Sequence, residues 1–320
     1  MIGLLEALAL AFAPLALGTW VAVALFAPSE AGGGEPQRRL AVARAWLLAP
    51  LWLPLLLLAS AMAPDLAAAF LRSADHCLTT GVGHHHHLCF LHPPHGAEGP
   101  VGWMIALAVL VPVTALLGLA LRRAGDEWRL ARALVAVSRP SELGADVRLL
   151  DRDDPIALTV GWWRPTVLLS EGLLLRLSAR GREVVLAHER AHVARGDCRM
   201  ASLERLAAAI LPRIVARPLI AQIDLAREQA CDAVAAQRAG GALAVATTLA
   251  EVLRLGIQAP PIGVSVASSA LEARVAHLLN PAPRSWGWRL SFAALGLAVV
   301  AAGMGPGHVA IEHLVTLLLH

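Results

Sequence analysis

Long uncharged apolar runs alternate along the chain with stretches in which apolar and polar residues recur at helical or strand spacing. Each of the longest runs approaches the roughly 20 residues that a helix needs to cross a bilayer. These runs are residues 7–27, 45–64, 101–121 and 290–307. Residues 206–223 are also apolar, but Pro212, Arg213 and Arg217 interrupt them, so they predict an amphipathic helix that is buried or lies on the membrane. The pattern therefore predicts a membrane protein with several spanning helices.

The distribution of arginine orients these predicted spans. Residues 28–44 contain three arginines and the segment just after the third run contains four, whereas residues 72–100 contain only Arg72. The positive-inside rule then places residues 28–44 and 122–285 in the cytoplasm. The N-terminus, residues 72–100 and the tail 308–320 are expected outside. The sequence thus predicts a multi-pass protein of the cell (inner) membrane.

In residues 122–285, unlike the long apolar runs, polar and apolar residues alternate at strand and helix spacing. This pattern predicts a cytoplasmic α+β domain. Segments rich in Val, Leu, Ile and Thr predict short strands, and helical spacing resumes from Glu171, with Gly181 separating two helices. The strands are expected at 146–150, 156–160 and 166–170, and the first two helices at 171–179 and 182–195. The predicted fold is mostly α, with multi-span membrane helices and this inserted domain. Its parts are a membrane region 1–121, the domain 122–285, and a fourth membrane helix with a short tail, 286–320.

Composition supports the membrane prediction and excludes several kinds of enzyme. Hydrophobic residues make up 57% of the chain and charged residues only 16%, unlike a soluble domain. All 27 basic residues are arginine, so a P-loop, a pyridoxal-phosphate Schiff base and an S-x-x-K acyl-enzyme are excluded. Tyrosine is absent as well, and the net charge of +3 is too small to indicate direct binding of nucleic acid.

The strongest chemical signal is an H-E-x-x-H motif formed by His188, Glu189 and His192. Residues four apart share one face of a helix, so both imidazoles can reach one metal ion. The glutamate between them can then take a proton from water that attacks a carbonyl group. Val184–Ala187 precede the motif and Gly196 follows it, as expected for a buried helix that stops at a glycine. The motif predicts a zinc site with Glu189 as catalytic base.

A hydrolytic zinc site needs a third protein ligand and an open position. Glu228 lies 36 residues beyond His192 on a predicted helix, and Asp232 follows on the same face. We expect Glu228 to be the third ligand and Asp232 to accept a hydrogen bond from a ligating histidine. The alternative for Glu228 is a solvated carboxylate on a helix.

The motif and its surroundings resemble a known family. The string GWWRPTVLLSEGLLL, the segment VVLAHERAHVARGD, the segment REQACD and LEARVAHLL at 271–279 are similar to the BlaR/MecR regulatory membrane metallopeptidases, which are gluzincin-like. The resemblance covers about residues 156 to 280. It implies a zinc-dependent metalloendopeptidase with a zincin-like domain, in which His188, His192 and Glu228 bind Zn²⁺.

The same resemblance implies a function in signalling. Its members act as antirepressors, so the expected substrate is a BlaI/MecI-like transcriptional repressor, the protease itself, or both. An HtpX-like quality-control protease shares the core motif, and a non-enzymatic metal-binding membrane protein is a further alternative. The antibiotic-sensing members carry a β-lactam-binding domain after the last span, whereas only residues 308–320 follow here. Without lysine, sensing by acylation is excluded. The inducing signal and oligomeric state stay open.

Several neighbouring residues have less specific roles. Asp197, Arg190 and Arg195 are interpreted as helix-end and packing charges, and Cys198 and Cys231 as reduced packing residues. Residues 166–170 are expected to form an edge strand that pairs with a substrate chain. In the absence of tyrosine, another group must stabilise the oxyanion, and the candidates are His277 and an arginine.

The segment predicted to lie outside the membrane is unusually rich in metal-binding residues. Seven of the 13 histidines lie between residues 76 and 95, together with two cysteines. The candidate ligands are His76, Cys77, His84, His85, His86, His87, Cys89, His92 and His95. Such soft ligands suit Cu(I), Zn(II) or Ni(II), and the cysteines could instead form a disulfide. One hypothesis is a metal-sensing input, and the alternative is a solvated polar loop.

Overall fold

The computed structural model describes residues 2–27, 34–71, 100–255, 264–283, 287–307, 309–310 and 313. The helices are α1 (Ile2–Phe26), α2 (Pro36–Leu71), α3 (Pro100–Val137), α4 (Glu171–Arg176), α5 (Ala179–Arg195), α6 (Asp197–Ile210), α7 (Arg213–Arg238), α8 (Gly241–Arg254), α9 (Val264–Leu279) and α10 (Gly287–Ala302). The strands are β1 (Arg139–Ser141), β2 (Gly144–Leu150), β3 (Ala157–Val160) and β4 (Thr166–Ser170). A π-helical turn, Gly303–Gly307, follows α10. The prediction of a mostly helical fold with a small sheet is confirmed.

The chain divides into two compact units. The first contains residues 1–27, 46–119 and 285–320, and the second contains residues 28–45 and 120–284. Helix α2 therefore begins in the second unit and continues into the first.

Apolar helices make up the described part of the first unit. Ala11 of α1 is buried against Ala61 of α2, and leucines of both helices pack around this pair. Among the described residues, one helix is long and apolar enough to cross a membrane, and it spans Pro36–Ala63 with a mean hydropathy of 1.9. Residues Ala11–Phe26 form a shorter apolar helix. All four predicted spans contain helix, and that they cross a membrane stays a prediction.

The second unit is built on a four-stranded sheet. Its strand order is β1-β2-β4-β3, with β2 and β4 parallel and the other pairs antiparallel. The expectation that Thr166–Ser170 form an edge strand is therefore wrong, because β4 lies between β2 and β3. The outer strands are β1, which was not predicted, and β3. Gly161 makes the turn after β3 at a φ of 102°, where an added Cβ would lie 2.7 Å from the Arg164 carbonyl oxygen.

Two apolar clusters hold helix α5 between this sheet and the other helices. On one side, Val147, Val167 and Leu169 of the sheet pack with residues of α4 and with Val185 and Val193 of α5. On the other side, Val184 of α5 packs among residues of α7, α8 and α9. The buried residues of this second cluster are Val184, Ala235, Ala239, Val245 and Leu278. Helix α5 is therefore fixed along its length by apolar contacts on both faces.

Two predicted helix boundaries are wrong. Helix α5 begins at Ala179 rather than after Gly181, because the Ser178 hydroxyl accepts a hydrogen bond from the Gly181 amide and caps the helix. The stretch 206–223 is not one helix, because α6 ends at Ile210 and α7 begins at Arg213. Pro212 has no amide hydrogen to continue a helix, and its extended conformation starts the next one.

Candidate metal centre

Helix α5 presents His188 and His192 side by side, one turn apart. Their rings meet edge to face, with centroids 4.9 Å apart and an angle of 77° between the planes. The two Nε2 atoms are 3.2 Å apart. The helix ends just beyond them at Gly196, whose φ of 66° allows the left-handed turn that leads directly into α6.

Helix α7 brings a carboxylate to the same two nitrogens. Glu228 Oε2 is 3.3 Å from His188 Nε2, and Glu228 Oε1 is 3.5 Å from His192 Nε2. The three side chains thus offer one ligand atom each within 4.8 Å of one another. The Glu228 side chain is one-third exposed, so the cluster is open on one side. The structure brings together the three residues that the sequence predicts as metal ligands.

The other ring nitrogen of each imidazole, Nδ1, contacts a buried aspartate. His188 Nδ1 is 3.0 Å from Asp232 Oδ1, and His192 Nδ1 is 2.9 Å from Asp197 Oδ2. Each contact holds its ring so that Nε2 points toward Glu228. The sequence predicts this position for Asp232. It gives Asp197 only a packing role, because nothing in the sequence shows that the turn at Gly196 returns Asp197 to His192.

Arg274 of α9 is a site residue that the sequence prediction missed. Its Nε and Nη2 donate to the two carboxylate oxygens of Asp232 at 2.8 and 2.7 Å. Its Nη1 lies 3.0 Å from Glu228 Oε2. The segment LEARVAHLL contributes to the family resemblance, but the sequence alone assigns Arg274 no role. An arginine that stabilises the oxyanion must have a free guanidinium group. Arg274 does not, because it is paired with both carboxylates.

The charges of the cluster shift one another's protonation. Burial disfavours the charged form of His188, but hydrogen bonds to Asp232 and Glu228 outweigh it and raise the pKa of His188 to about 10. Burial also opposes ionisation of Glu228, yet its hydrogen bond and attraction to His188 and the charge of Arg274 hold its pKa well below the usual range. The pKa of Asp232 is likewise lowered, because hydrogen bonds from Arg274 and His188 outweigh burial. When no metal ion is bound, the cluster is therefore a group of opposite charges that stabilise one another.

Glu189 lies beside the histidines with a separate partner. Its side chain is buried, and the Thr159 hydroxyl donates to Glu189 Oε2 at 2.7 Å. Thr159 belongs to the outer strand β3, so the sheet edge and the predicted base are in direct contact.

The remaining charges and thiols near the motif have structural contacts. Arg190 forms a bidentate pair with Asp146 of β2, both distances being 2.8 Å, which matches its predicted packing role. Arg195 Nε is 3.4 Å from Asp197 Oδ2. Cys231 and Cys198 are free thiols, and burial raises the pKa of each. Cys231 Sγ lies 3.4 Å from His192 Nδ1, so it packs behind the metal-binding face of that ring.

A small cavity of about 80 Å³ adjoins His192 on the side of the β3–β4 turn. Trp162, Trp163 and Pro165 of that turn form one wall. Val193, Gly196, Cys198 and Arg199 form the other. Trp163 is strongly exposed at its rim.

The histidine- and cysteine-rich segment lies outside the described residues. This applies to His76, Cys77, His84, His85, His86, His87, Cys89, His92 and His95.

Comparison with known proteins gives a family but no individual relative. No curated protein and no solved structure matches the chain significantly. Residues 103–278, more than half of the chain, match the family described as BlaR1 peptidase M56. The match includes the whole sheet, the H-E-x-x-H helix, Glu228, Asp232 and Arg274. The resemblance inferred from the sequence is thus confirmed, and the chain belongs to the BlaR1 peptidase M56 family of membrane-associated, generally metal-dependent peptidases.

Proposed function

We propose that the chain is a zinc-dependent metalloendopeptidase whose catalytic site is the cluster of His188, His192 and Glu228. The observation that carries the proposal is the convergence of two imidazole nitrogens and one carboxylate, with the buried Glu189 beside them. Family membership supports peptidase chemistry, and the geometry supports these residues as the place where it occurs.

The donor set suits zinc. Two histidines and a glutamate are a known ligand set of catalytic zinc sites, and one side of the cluster is open for a water molecule or substrate. When bound, Zn²⁺ supplies a Lewis acid that acidifies water and polarises a peptide carbonyl. Asp232 and Asp197 contribute by fixing the ring orientation and by keeping the proton on Nδ1, which leaves each Nε2 free as a ligand.

Glu189 is the proposed general base. It takes a proton from the attacking water and later delivers it to the leaving amide nitrogen. The Thr159 hydroxyl occupies Oε2, which leaves the other carboxylate oxygen to carry the proton. Arg274 is a positioning residue in this scheme, because it neutralises Asp232 and contacts Glu228.

The substrate is proposed to bind as an added strand along β3. This strand is an edge of the sheet and carries Thr159, so a paired peptide would run beside Glu189. The Thr159 carbonyl accepts a hydrogen bond from the weak thiol donor of Cys198, at 3.3 Å, and can exchange it for a peptide amide. The cavity beside His192 would then receive one substrate side chain of modest size.

We further propose that the physiological substrate is a BlaI/MecI-like repressor, the protease itself, or both, and that cleavage follows a signal from the outer segment. Residues 76–95 supply soft metal ligands at high density, so extracytoplasmic metal is the proposed signal. This scheme uses the multi-pass topology with residues 122–285 in the cytoplasm and 72–100 outside, and the domain limits 1–121, 122–285 and 286–320.

The test uses the full chain in cells together with a BlaI/MecI-like repressor, with and without added zinc or copper, followed by immunoblotting. Glu189→Gln should abolish cleavage, because loss of a general base lowers the rate by about 10²- to 10⁴-fold. Zinc content of the purified variant should be unchanged. Glu183→Gln is the matched control, since Glu183 is an exposed glutamate of the same helix.

The outcomes separate the alternatives. One cut in the repressor, absent with Glu189→Gln, supports the antirepressor function. Extensive degradation of casein by the purified chain, with the repressor left intact, would instead favour an HtpX-like quality-control protease. Bound zinc with neither substrate cut, whatever metal is added, would contradict an enzymatic role and favour a metal-binding protein.

A further inference from the structure

The first turns of helix α2 contribute a buried arginine to the surroundings of the metal centre. Arg44 Nε is 2.5 Å from Glu204 Oε1 of α6, and Arg44 Nη2 is 3.4 Å from Asp197 Oδ1. The Arg44 side chain is only 17% exposed, and both carboxylates are almost fully buried. Asp197 is the residue that holds His192 Nδ1. Two contacts thus separate Arg44 from a proposed metal ligand.

Arg44 is one of three arginines that surround the two buried carboxylates of this network. Asp197 and Glu204 are also contacted by Arg227 of α7, which pairs with Asp224 as well. Arg195 lies 3.4 Å from Asp197. Without Arg44, Glu204 keeps only Arg227, which also contacts Asp197, so the two buried carboxylates share fewer positive charges and are less favourable in the folded protein.

The helix that carries Arg44 is the same helix that contains the candidate membrane span. It is continuous from Pro36 to Leu71, and its uncharged run starts at residue 45, immediately after Arg44. A second arginine of α2, Arg39, contacts a sequence neighbour of Glu228. Arg39 donates to the Gln229 side-chain oxygen, and Gln229 Nε2 donates to the Ala273 carbonyl at 2.8 Å. Gln229 and Ala273 are the sequence neighbours of Glu228 and Arg274.

We propose that Arg44 is a positioning residue that fastens His192, through Asp197, to the start of helix α2. The affinity and geometry of the metal centre then depend on where this apolar helix lies. The inference rests on the proposed metal site, since it names a control on that site. Because a helix moves as a stiff unit over a few turns, a shift or rotation of α2 would pull Arg44 from Asp197 and release the His192 ring.

The experiment is a titration of the purified full chain in detergent with Co²⁺, followed by its visible absorption. The nine candidate ligands between residues 76 and 95 are replaced by serine in every sample so that the outer segment does not bind the probe. Arg44→Gln should weaken Co²⁺ binding about tenfold and shift the absorption bands, at the lower end of the effect of losing a ligand's outer partner, because Asp197 stays but loses one of the arginines that hold it. Arg38→Gln, an equal charge change at an exposed position of the same helix, should leave both unchanged.

A double-mutant cycle identifies the route of the effect. If Arg44 acts through Asp197, Arg44→Gln should have no further effect on Co²⁺ binding in an Asp197→Asn background. Arg44→Lys keeps the charge and protects the fold, but it loses the planar fork, so it should give a smaller, roughly threefold weakening with the same direction of spectral shift.

The two proposals fail in different ways. If the reference chain, with Arg44 in place and the outer segment substituted, binds no Co²⁺, the metal site is wrong and the inference falls with it. If this reference chain binds Co²⁺ and Arg44→Gln or Arg44→Lys binds it with the same affinity and spectrum, only the role of Arg44 is overturned. Additive effects of Arg44→Gln and Asp197→Asn would also overturn it, because they would show a route that avoids Asp197.

Discussion

Each of the two histidines of the site is held by a buried aspartate, but the two aspartates are paired with arginines in different ways. His188 meets Asp232, and one arginine, Arg274, neutralises that aspartate through two close hydrogen bonds of 2.7 and 2.8 Å. His192 meets Asp197, and three arginines surround that aspartate at 3.4 to 3.9 Å. These three are Arg44 of α2, Arg195 of α5 and Arg227 of α7.

This difference separates a local half from a distributed half. The His188 half is completed by α7 and α9 within the peptidase-family region, and its arginine also contacts the shared ligand Glu228. The His192 half depends on several helices, one of which contains the candidate membrane span. We therefore expect the His188 half to set the intrinsic chemistry of the site and the His192 half to be the part that responds to changes elsewhere.

The largest expected effect comes from Glu228, where the two halves meet. Glu228→Gln removes the carboxylate that faces both Nε2 atoms, so both halves lose their common partner. Zinc affinity should fall by more than about 100-fold, which exceeds the usual effect of losing an outer partner. The measurement is zinc competition with a chromogenic chelator, using protein in which the nine candidate ligands between residues 76 and 95 are serine.

Glu272→Gln provides the control for that change, because Glu272 is an exposed glutamate on α9. It should bind zinc as the unaltered chain does. Equal zinc affinity in the Glu228→Gln variant would show that Glu228 is not a ligand, and the division into two halves around it would lose its basis.

A second prediction distinguishes the halves by pH. The pKa of metal-free His188 is raised to about 10. Protonated His188 therefore stabilises the folded, metal-free chain fully below its ordinary pKa of 6.5, and this stabilisation is lost as pH rises through about 10. A metal ion must displace that proton. Zinc affinity should therefore rise about tenfold from pH 7 to pH 8.

The two aspartates should affect this pH dependence unequally. Asp232→Asn removes a hydrogen bond that raises the pKa of His188, so the rise of affinity with pH should become shallower. Asp197→Asn should lower affinity while leaving the contribution of His188 to the slope intact. Equal slopes in the two variants would mean that the displaced proton does not come from the His188 half.

Sequence reasoning reaches the local half of the site more fully than the distributed half. The spacing of four residues places His188 and His192 on one helical face, and the same spacing links Glu228 to Asp232. Asp197 depends on a left-handed turn at Gly196, and Arg274 pairs with a residue 42 positions away through the packing of α9 on α7. Arg44 is 153 positions from Asp197. Contacts between distant segments leave no periodic signal in one sequence.

The same limit applies to the sheet. Strands β2, β3 and β4 lie close to their predicted positions, because their Val, Leu and Thr content is a local property. Their order in the sheet is not a local property. Strand β2 pairs in parallel with β4, Val147 opposite Val167, and not with β3, the next strand in the sequence, so β4 lies inside the sheet. The edge strand beside Glu189 is consequently β3, and this assignment determines which hydroxyl reaches the proposed base.

The smallest expected effect tests whether the base is held separately from both metal-binding halves. Thr159→Val removes the 2.7 Å hydrogen bond to Glu189 Oε2 and keeps a β-branched side chain in the edge strand. The rate of peptide cleavage, kcat, should fall about threefold, because the ionised carboxylate of Glu189 keeps its place in the site and loses one of the hydrogen bonds that orient it. Zinc affinity should not change, since Thr159 touches neither histidine in the contacts described. A parallel loss of zinc would show instead that strand β3 supports the whole cluster, and the comparison between the two halves would then have to include the sheet edge as a third support common to both.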